Sequence, residues 1–426
     1  MNKALSLKKP FLLWSLASLF FAFQFILRLS TGILREEIIQ KFTIDTMAFG
    51  ALAGYYYLGY AGMQIPIGIM LDKFSFRIVA FISISVTSLG VLVFTASSNF
   101  NQLIIGRLMI GAGSAVGFLS VNKITRTYFP AKYHSMILGF SFTFGLVGAV
   151  FGITPMKLLF THFGYDVTFY SLALVGFIIG LIILVIKNDD TSSNSHTVPN
   201  SKPSIWKLLF NPTILLIGFF DALMVGALEG FADLWAIPFF KQIYQMNDIE
   251  SNLVTSFVYI GMCFGGPVLA LMANLVKSPN FVITITGLVM SIIFVILLSF
   301  PSLNFFATGS LMFLLGIFCC YQVLIFTVVG NLVTEKSVGL AVAIVNCIIM
   351  SFGHFFHKIM SYLISYNWDG LLSESGTPIY SRYDFITAIS IIPICCLIGI
   401  IGLWYLSRRL KTQISIDESV EERVLA

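Results

Sequence analysis

Arg28 interrupts an otherwise apolar stretch, "FFAFQFILRLSTGILREE" (Phe20 to Glu37), and Gln24 precedes it by one helical turn on the same face. A guanidinium stays charged at ordinary pH and costs roughly 2.5–3.5 kcal/mol at a bilayer centre. Its planar fork also grips a carboxylate or phosphate through two parallel hydrogen bonds. A second apolar stretch, "GFFDALMVGALEGFADLW" (Gly218 to Trp235), carries Asp221, Glu229 and Asp233. Read as a regular helix, it turns Glu229 and Asp233 by about 80° and 120° from Asp221, so all three carboxylates share one sector. Such acids hold a cationic group or carry a proton.

Arg28 with Glu229 offers one positive and one negative group, enough to hold both ends of an amino acid or a short peptide. Glu229 or Asp221 is alternatively a proton carrier, and a plain interhelical ion pair is the remaining reading. Asp233 stands nearer the outer end of its run and ranks below the other two for substrate or proton work. Arg107, in another apolar run, either assists proton coupling or bonds to neighbouring helix carbonyls. Tyr56 and Tyr60, one turn apart, offer hydroxyls to a cavity or pack as anchors. Gln322, Asn331 and Asn346 are polar candidates of the second half, and Lys123 is read as a snorkelling anchor. His354 and His357 stand three apart and could sense pH, but without acidic neighbours they make a poor metal pair.

These residues need elements to hold them, and composition says which. The chain has 426 residues, 57% hydrophobic and 11% charged, against about 25% charged in soluble domains. Too little polar surface exists to cover a globule, so the chain is expected to be an integral membrane protein. Twelve apolar runs are long enough to cross as helices: 11–34, 46–71, 78–97, 103–127, 134–157, 166–186, 213–236, 251–273, 281–300, 303–330, 338–362 and 385–406. They do not alternate as barrel strands would. With both termini cytoplasmic, 17 of the 25 Lys and Arg fall on cytoplasmic segments, 6 outside and 2 in the interior, as the positive-inside rule expects. The net charge of +5 therefore reports topology, and no basic-aromatic face suggests nucleic acid.

The Ser/Asn/Pro-rich stretch "KNDDTSSNSHTVPNSKPS" splits the chain six plus six. The expected organisation is a six-helix bundle over 1–186, a cytoplasmic linker over 187–206, a second bundle over 207–411 and a mobile acidic tail over 412–426. The halves echo each other weakly: Gly68 and Asp72 match Ala270 and Asn274 in place. Six cysteines without CxxC spacing point to packing, and no cofactor or metal is expected. HExxH, GxSxG and Walker loops are absent from the sequence, so enzyme chemistry and a primary pump are not indicated.

The sequence resembles the major facilitator superfamily of secondary transporters along essentially its whole length. Gly68, Asp72, Lys73 and Arg77 match the motif G-x-x-x-D-R/K-x-G-R-R/K, with Ser75 and Phe76 departing from it. Arg107, Gly111 and Gly113 match R-x-x-x-G-x-G. The resemblance implies a twelve-helix fold of two pseudo-symmetric bundles and alternating access, with the loop motif as a gating latch. Arg28 is placed like the first-helix arginine of the organophosphate and organic-anion branches, where it grips the anion. Phosphate exchangers have a second arginine six residues before a helix-seven tryptophan; here that position is Glu229, which would repel a phosphate dianion.

The expectation is a proton-coupled importer of a small carboxylate-bearing or zwitterionic solute (organic anion, amino acid or short peptide). Arg28, Gln24, Tyr56, Tyr60, Glu229, Gln322 and Asn346 would contact the solute, and Glu229, Asp221 and Arg107 would couple it to protons. An exporter or organophosphate exchanger of the same fold, and a non-transporting receptor, are the alternatives. Compact loops suggest a bacterial inner membrane, and a monomer is expected.

Overall fold

The computed structural model describes residues 3–130, 133–186, 205–334, 337–366, 368–373 and 378–425. Among them ten helices are long and apolar enough to cross a membrane. A bent pair, Met136–Phe151 and Thr154–Phe163, makes an eleventh span with a 43° bend. The bend falls where Gly152 and Ile153 leave the helix and Pro155, lacking an N–H, sits at the start of the next one.

The second span, Thr46–Lys73, is the twelfth, a 28-residue helix. Four tyrosines, five glycines and Gln64 make it the least lipid-like of the set. It can afford this because it packs between the halves, along spans four and eleven.

Contacts repeat between the halves. Spans one and five pack together as seven and eleven do, two and four as eight and ten, and three and six as nine and twelve. The halves meet along spans two with eleven, five with eight, and one with seven. Large apolar side chains such as Leu275 and Phe306, 83% and 80% exposed, stay on the perimeter, as lipid-facing residues must.

The face bearing the ends Lys9 and Arg409 of the first and last spans is called the terminal face, and its opposite the distal face. Even-numbered spans start on the distal face, and five of the six begin with a side-chain cap: Asp45, Asn99, Asn247, Asn304 and Ser381. Each accepts a hydrogen bond from a first-turn N–H that the helix leaves unpaired. Span six starts instead at Gly164, whose φ of 78° lets a single residue turn the chain from span five.

Most of the expected linker, 187–204, lies outside the described residues, as does Ala426. The last helix, Ile391–Leu425, runs on through the expected tail. No glycine or proline follows Gly402, so nothing in the local sequence stops the helix.

Candidate functional site

Span seven departs from regular winding where its acids stand. Pro212–Met224 is α-helical, but Gly226–Trp235 is a π-helix, before α-helix resumes at Ala236–Ile243. A π-turn closes i→i+5 hydrogen bonds and holds more residues than an α-turn. The 100° spacing therefore fails across this segment, and the expected common sector of three acids is not how the structure gathers them. Glu229 and Asp233 come together, while Asp221 remains in the α-helical part and joins neither.

Arg28 of span one reaches between these two acids. Its Nη2 donates to Glu229 Oε2 at 2.6 Å, and its Nε to Asp233 Oδ2 at 2.7 Å. Both carboxylates are 2% exposed and the arginine 8%, so the ion cluster is nearly dry. Asp233 also accepts from Tyr57 of span two and, at 2.5 Å, from Tyr259 of span eight. Arg28 lies 4.9 Å over the Tyr57 ring, a cation–π contact. Spans one, two, seven and eight thus meet at one arginine and two acids.

The surrounding residues brace this cluster. Arg107 donates to the carbonyls of Leu27, Arg28 and Ala53 at 3.1, 3.4 and 3.3 Å, the carbonyl-bonding alternative raised above. It stacks over Tyr56, whose hydroxyl donates to Gln24 at 3.5 Å, and Tyr60 stacks on Tyr56 in turn. His357 Nε2 donates to the Glu229 carbonyl at 2.5 Å, while His354 packs on Tyr55. Gln322 and Asn346 are half-buried and make none of the cluster's hydrogen bonds. Asn331 caps none of it either, ending its helix elsewhere on span ten.

Asp221 is fully buried in the second half. Neither of its carboxylate oxygens has a hydrogen-bond partner among the described residues, and the Tyr321 hydroxyl donates to its main-chain carbonyl instead, at 3.1 Å. Asp233, ranked from sequence below the other two acids, is the centre of the cluster, and Tyr57 belongs to the same tyrosine run as Tyr56 and Tyr60. Tyr259 alone has no signal in the sequence, since nothing around it distinguishes it from packing.

On the distal side the cluster is closed. A Cβ on Gly50 would stand 1.7 Å from Ser361 Oγ and 2.8 Å from the His357 carbonyl, so spans two and eleven touch backbone to backbone there. Thr46 bonds Tyr380, and Lys241 reaches Glu36 across the halves at 3.4 Å. Arg77 of the loop motif donates to the Ile186 carbonyl at 3.0 Å, tying the loop to the end of span six. Lys123 bonds the Leu71 carbonyl and so braces the end of span two, beyond an anchoring role. Lys73 is exposed, Gly68 faces open space, and the Asp72 side chain lies outside what is described. Among the described residues no group of three or more His, Cys, Asp or Glu is placed to hold a metal ion.

Helical halves that repeat one another, with charged groups buried where they meet, define a secondary transporter and not an enzyme. The family model described as Major Facilitator Superfamily matches residues 13–357, and the chain belongs to that family. It is similar to a potential vesicular glutamate transporter of Caenorhabditis elegans, 21% identical over 58% of this chain and 52% of that one. It is also similar to the L-fucose-proton symporter of Escherichia coli, 26% identical over 34% of this chain and 33% of the relative. The chain thus spans about half the length, or less, of these curated relatives. Among solved structures, a bacterial homologue of the human lysosomal transporter Spinster, inward-facing and occupied, matches with a TM-score of 0.71. The two are 17% identical, over 93% of this chain and 96% of that one.

Proposed function

We propose that the chain imports a small carboxylate-bearing or zwitterionic solute together with a proton, by alternating access between two six-helix bundles. The observation that carries this reading is Arg28 held between Glu229 and Asp233 where the halves meet. With both acids ionised the arginine is fully occupied and the cluster has one surplus negative charge, which opposes an anion. A proton on Glu229 removes that surplus and breaks one of the arginine's two bonds. Its Nη2 still lies 2.7 Å from Asp233 Oδ2 but has one N–H released for a solute carboxylate, so anion and proton load together.

Glu229 is the carrier, not Asp233, because Asp233 accepts from Arg28, Tyr57 and Tyr259, whereas Glu229 has only Arg28 and a shared Tyr57 hydroxyl. A zwitterion would turn its amine to Asp233. The glutamate-transporter relative is named for a solute of this charge pattern, and the symporter relative for proton coupling. The Lys and Arg bias supports a cytoplasmic terminal face, which makes the closed distal face the outside in this reading.

The test is uptake into proteoliposomes under an imposed pH gradient, with amino acids, dipeptides, monocarboxylates and sugar phosphates as solutes. Uphill uptake of a carboxylate or zwitterion should vanish in Glu229→Gln, while exchange of labelled for unlabelled solute persists. Sugar-phosphate exchange that ignores Glu229→Gln would sink the reading in favour of a phosphate exchanger.

A further inference from the structure

A second arginine stands one heptad beyond Arg28. Arg35 opens the short helix Arg35–Phe42, which follows span one after a break at Leu34 on the distal side. Unlike Arg28 it has no acid within ion-pair distance among the described residues. The nearby acids each have a lysine: Glu36 and Asp248 pair with Lys241, and Glu37 with Lys157.

Arg35 is nevertheless 4% exposed. Its guanidinium lies 5.2 Å over the Trp235 ring and 5.7 Å over Tyr380, and its acceptors are neutral hydroxyls: Tyr380, and Thr46 Oγ1 at 3.5 Å, the limit of a hydrogen bond. Arg35 Nε is buried without a partner, and so is Trp235 Nε1 in the same aromatic cage. A buried cation without an anion and two orphaned donors are costly together. Cation–π contacts offset part of that cost but accept no hydrogen bond. A cavity of about 50 Å³ adjoins Arg35, with room for a few waters or one carboxylate group; its other charged lining is Glu36, Asp248, Lys157 and Lys241, so with Arg35 the cations exceed the acids by one.

We propose that Arg35 is an anion station in the distal gate, which takes the solute's carboxylate before Arg28 does. It rests on the proposed function for the identity of the anion, but the site itself does not. An incoming carboxylate would neutralise the unpaired cation and satisfy Arg35 Nε, then pass one heptad inward as the Glu229 bond to Arg28 breaks. Because Trp235 belongs both to this cage and to the π-helical segment that carries Glu229, an anion at Arg35 is sensed by the element that holds the coupling acid.

The test uses the full chain in detergent with Trp14, Trp206, Trp368 and Trp404 changed to Phe, leaving Trp235 as the only indole. Acetate and chloride are titrated at constant ionic strength against a bulky sulfonate that the cavity excludes. A saturable change in Trp235 emission with acetate is expected, kept in Asp221→Asn and lost in Arg35→Gln. Arg35→Lys, which keeps the charge and loses the planar fork, should raise the half-saturating concentration about tenfold, and it serves if Arg35→Gln does not fold. Absence of saturation, an unchanged response in either Arg35 variant, or saturation by chloride alone would overturn the carboxylate station. Failure here leaves the Glu229 uptake result standing, and failure of that result leaves this binding standing, so the two ideas fall separately.

Discussion

Arg28 of span one and Asp233 of span seven are joined by a 2.7 Å hydrogen bond from Nε to Oδ2, although 205 residues separate them in the chain. The pair fastens the two halves of the molecule at their meeting point, and most of what can be tested follows from it.

Removing Arg28 should unfasten the halves and leave two buried carboxylates without their cation. Losing one partner of a buried ion pair costs about 3–5 kcal/mol. Arg28→Gln is therefore expected to melt well below the parent in detergent, and Arg28→Gln with Glu229→Gln to recover part of the loss. Equal melting of the two variants would contradict the pairing.

Tyr57 and Tyr259 both donate to Asp233. A hydrogen bond to a charged group contributes about 1.5–3 kcal/mol. Tyr259→Phe should lower stability by about that much and weaken uptake. Tyr57→Phe keeps the ring under Arg28 and loses only the hydroxyl, so its stability loss should be similar. Melting curves of the two variants, side by side, decide this.

Asp221 should behave differently from the other acids of span seven. It has no hydrogen-bond partner for its carboxylate among the described residues. Asp221→Asn is expected to leave the proton-to-solute ratio unchanged and uptake within about twofold of the parent. A lost pH-gradient response in this variant would return Asp221 to the coupling role that its sequence position suggested.

Gly50 permits the closest approach of spans two and eleven. Gly50→Val should wedge the distal face open, because the neighbours it meets include the main-chain carbonyl of His357, which cannot rotate away. In a background without the native cysteines, Thr46→Cys should then react with an impermeant thiol reagent about tenfold faster than without the wedge. No acceleration would mean that the halves close elsewhere.

The sequence made some of this legible and hid the rest for physical reasons. Arg28 and Glu229 stood out because an ion in apolar sequence is expensive wherever it lies. Span two was found from length and from its motif at Gly68, although tyrosine and glycine dilute its hydropathy. The bend at Pro155 could have been expected from the missing N–H. The π-helix could not: nothing local in "GALEGFADLW" forbids regular winding, so sector arithmetic misjudged which acids gather. Tyr259 is invisible for a related reason, since one tyrosine in an apolar helix looks like any other until the partner span supplies an acid.

The charge of the central cluster also governs how it answers to the membrane potential. One arginine against two carboxylates leaves a net negative charge when both acids are ionised, and one elementary charge moved across the field is worth about 2.3 kcal/mol per 100 mV. A carrier that returns with both acids ionised would feel the voltage at every cycle. One that returns with a proton on Glu229 would reorient at the same rate whether the membrane is energised or not.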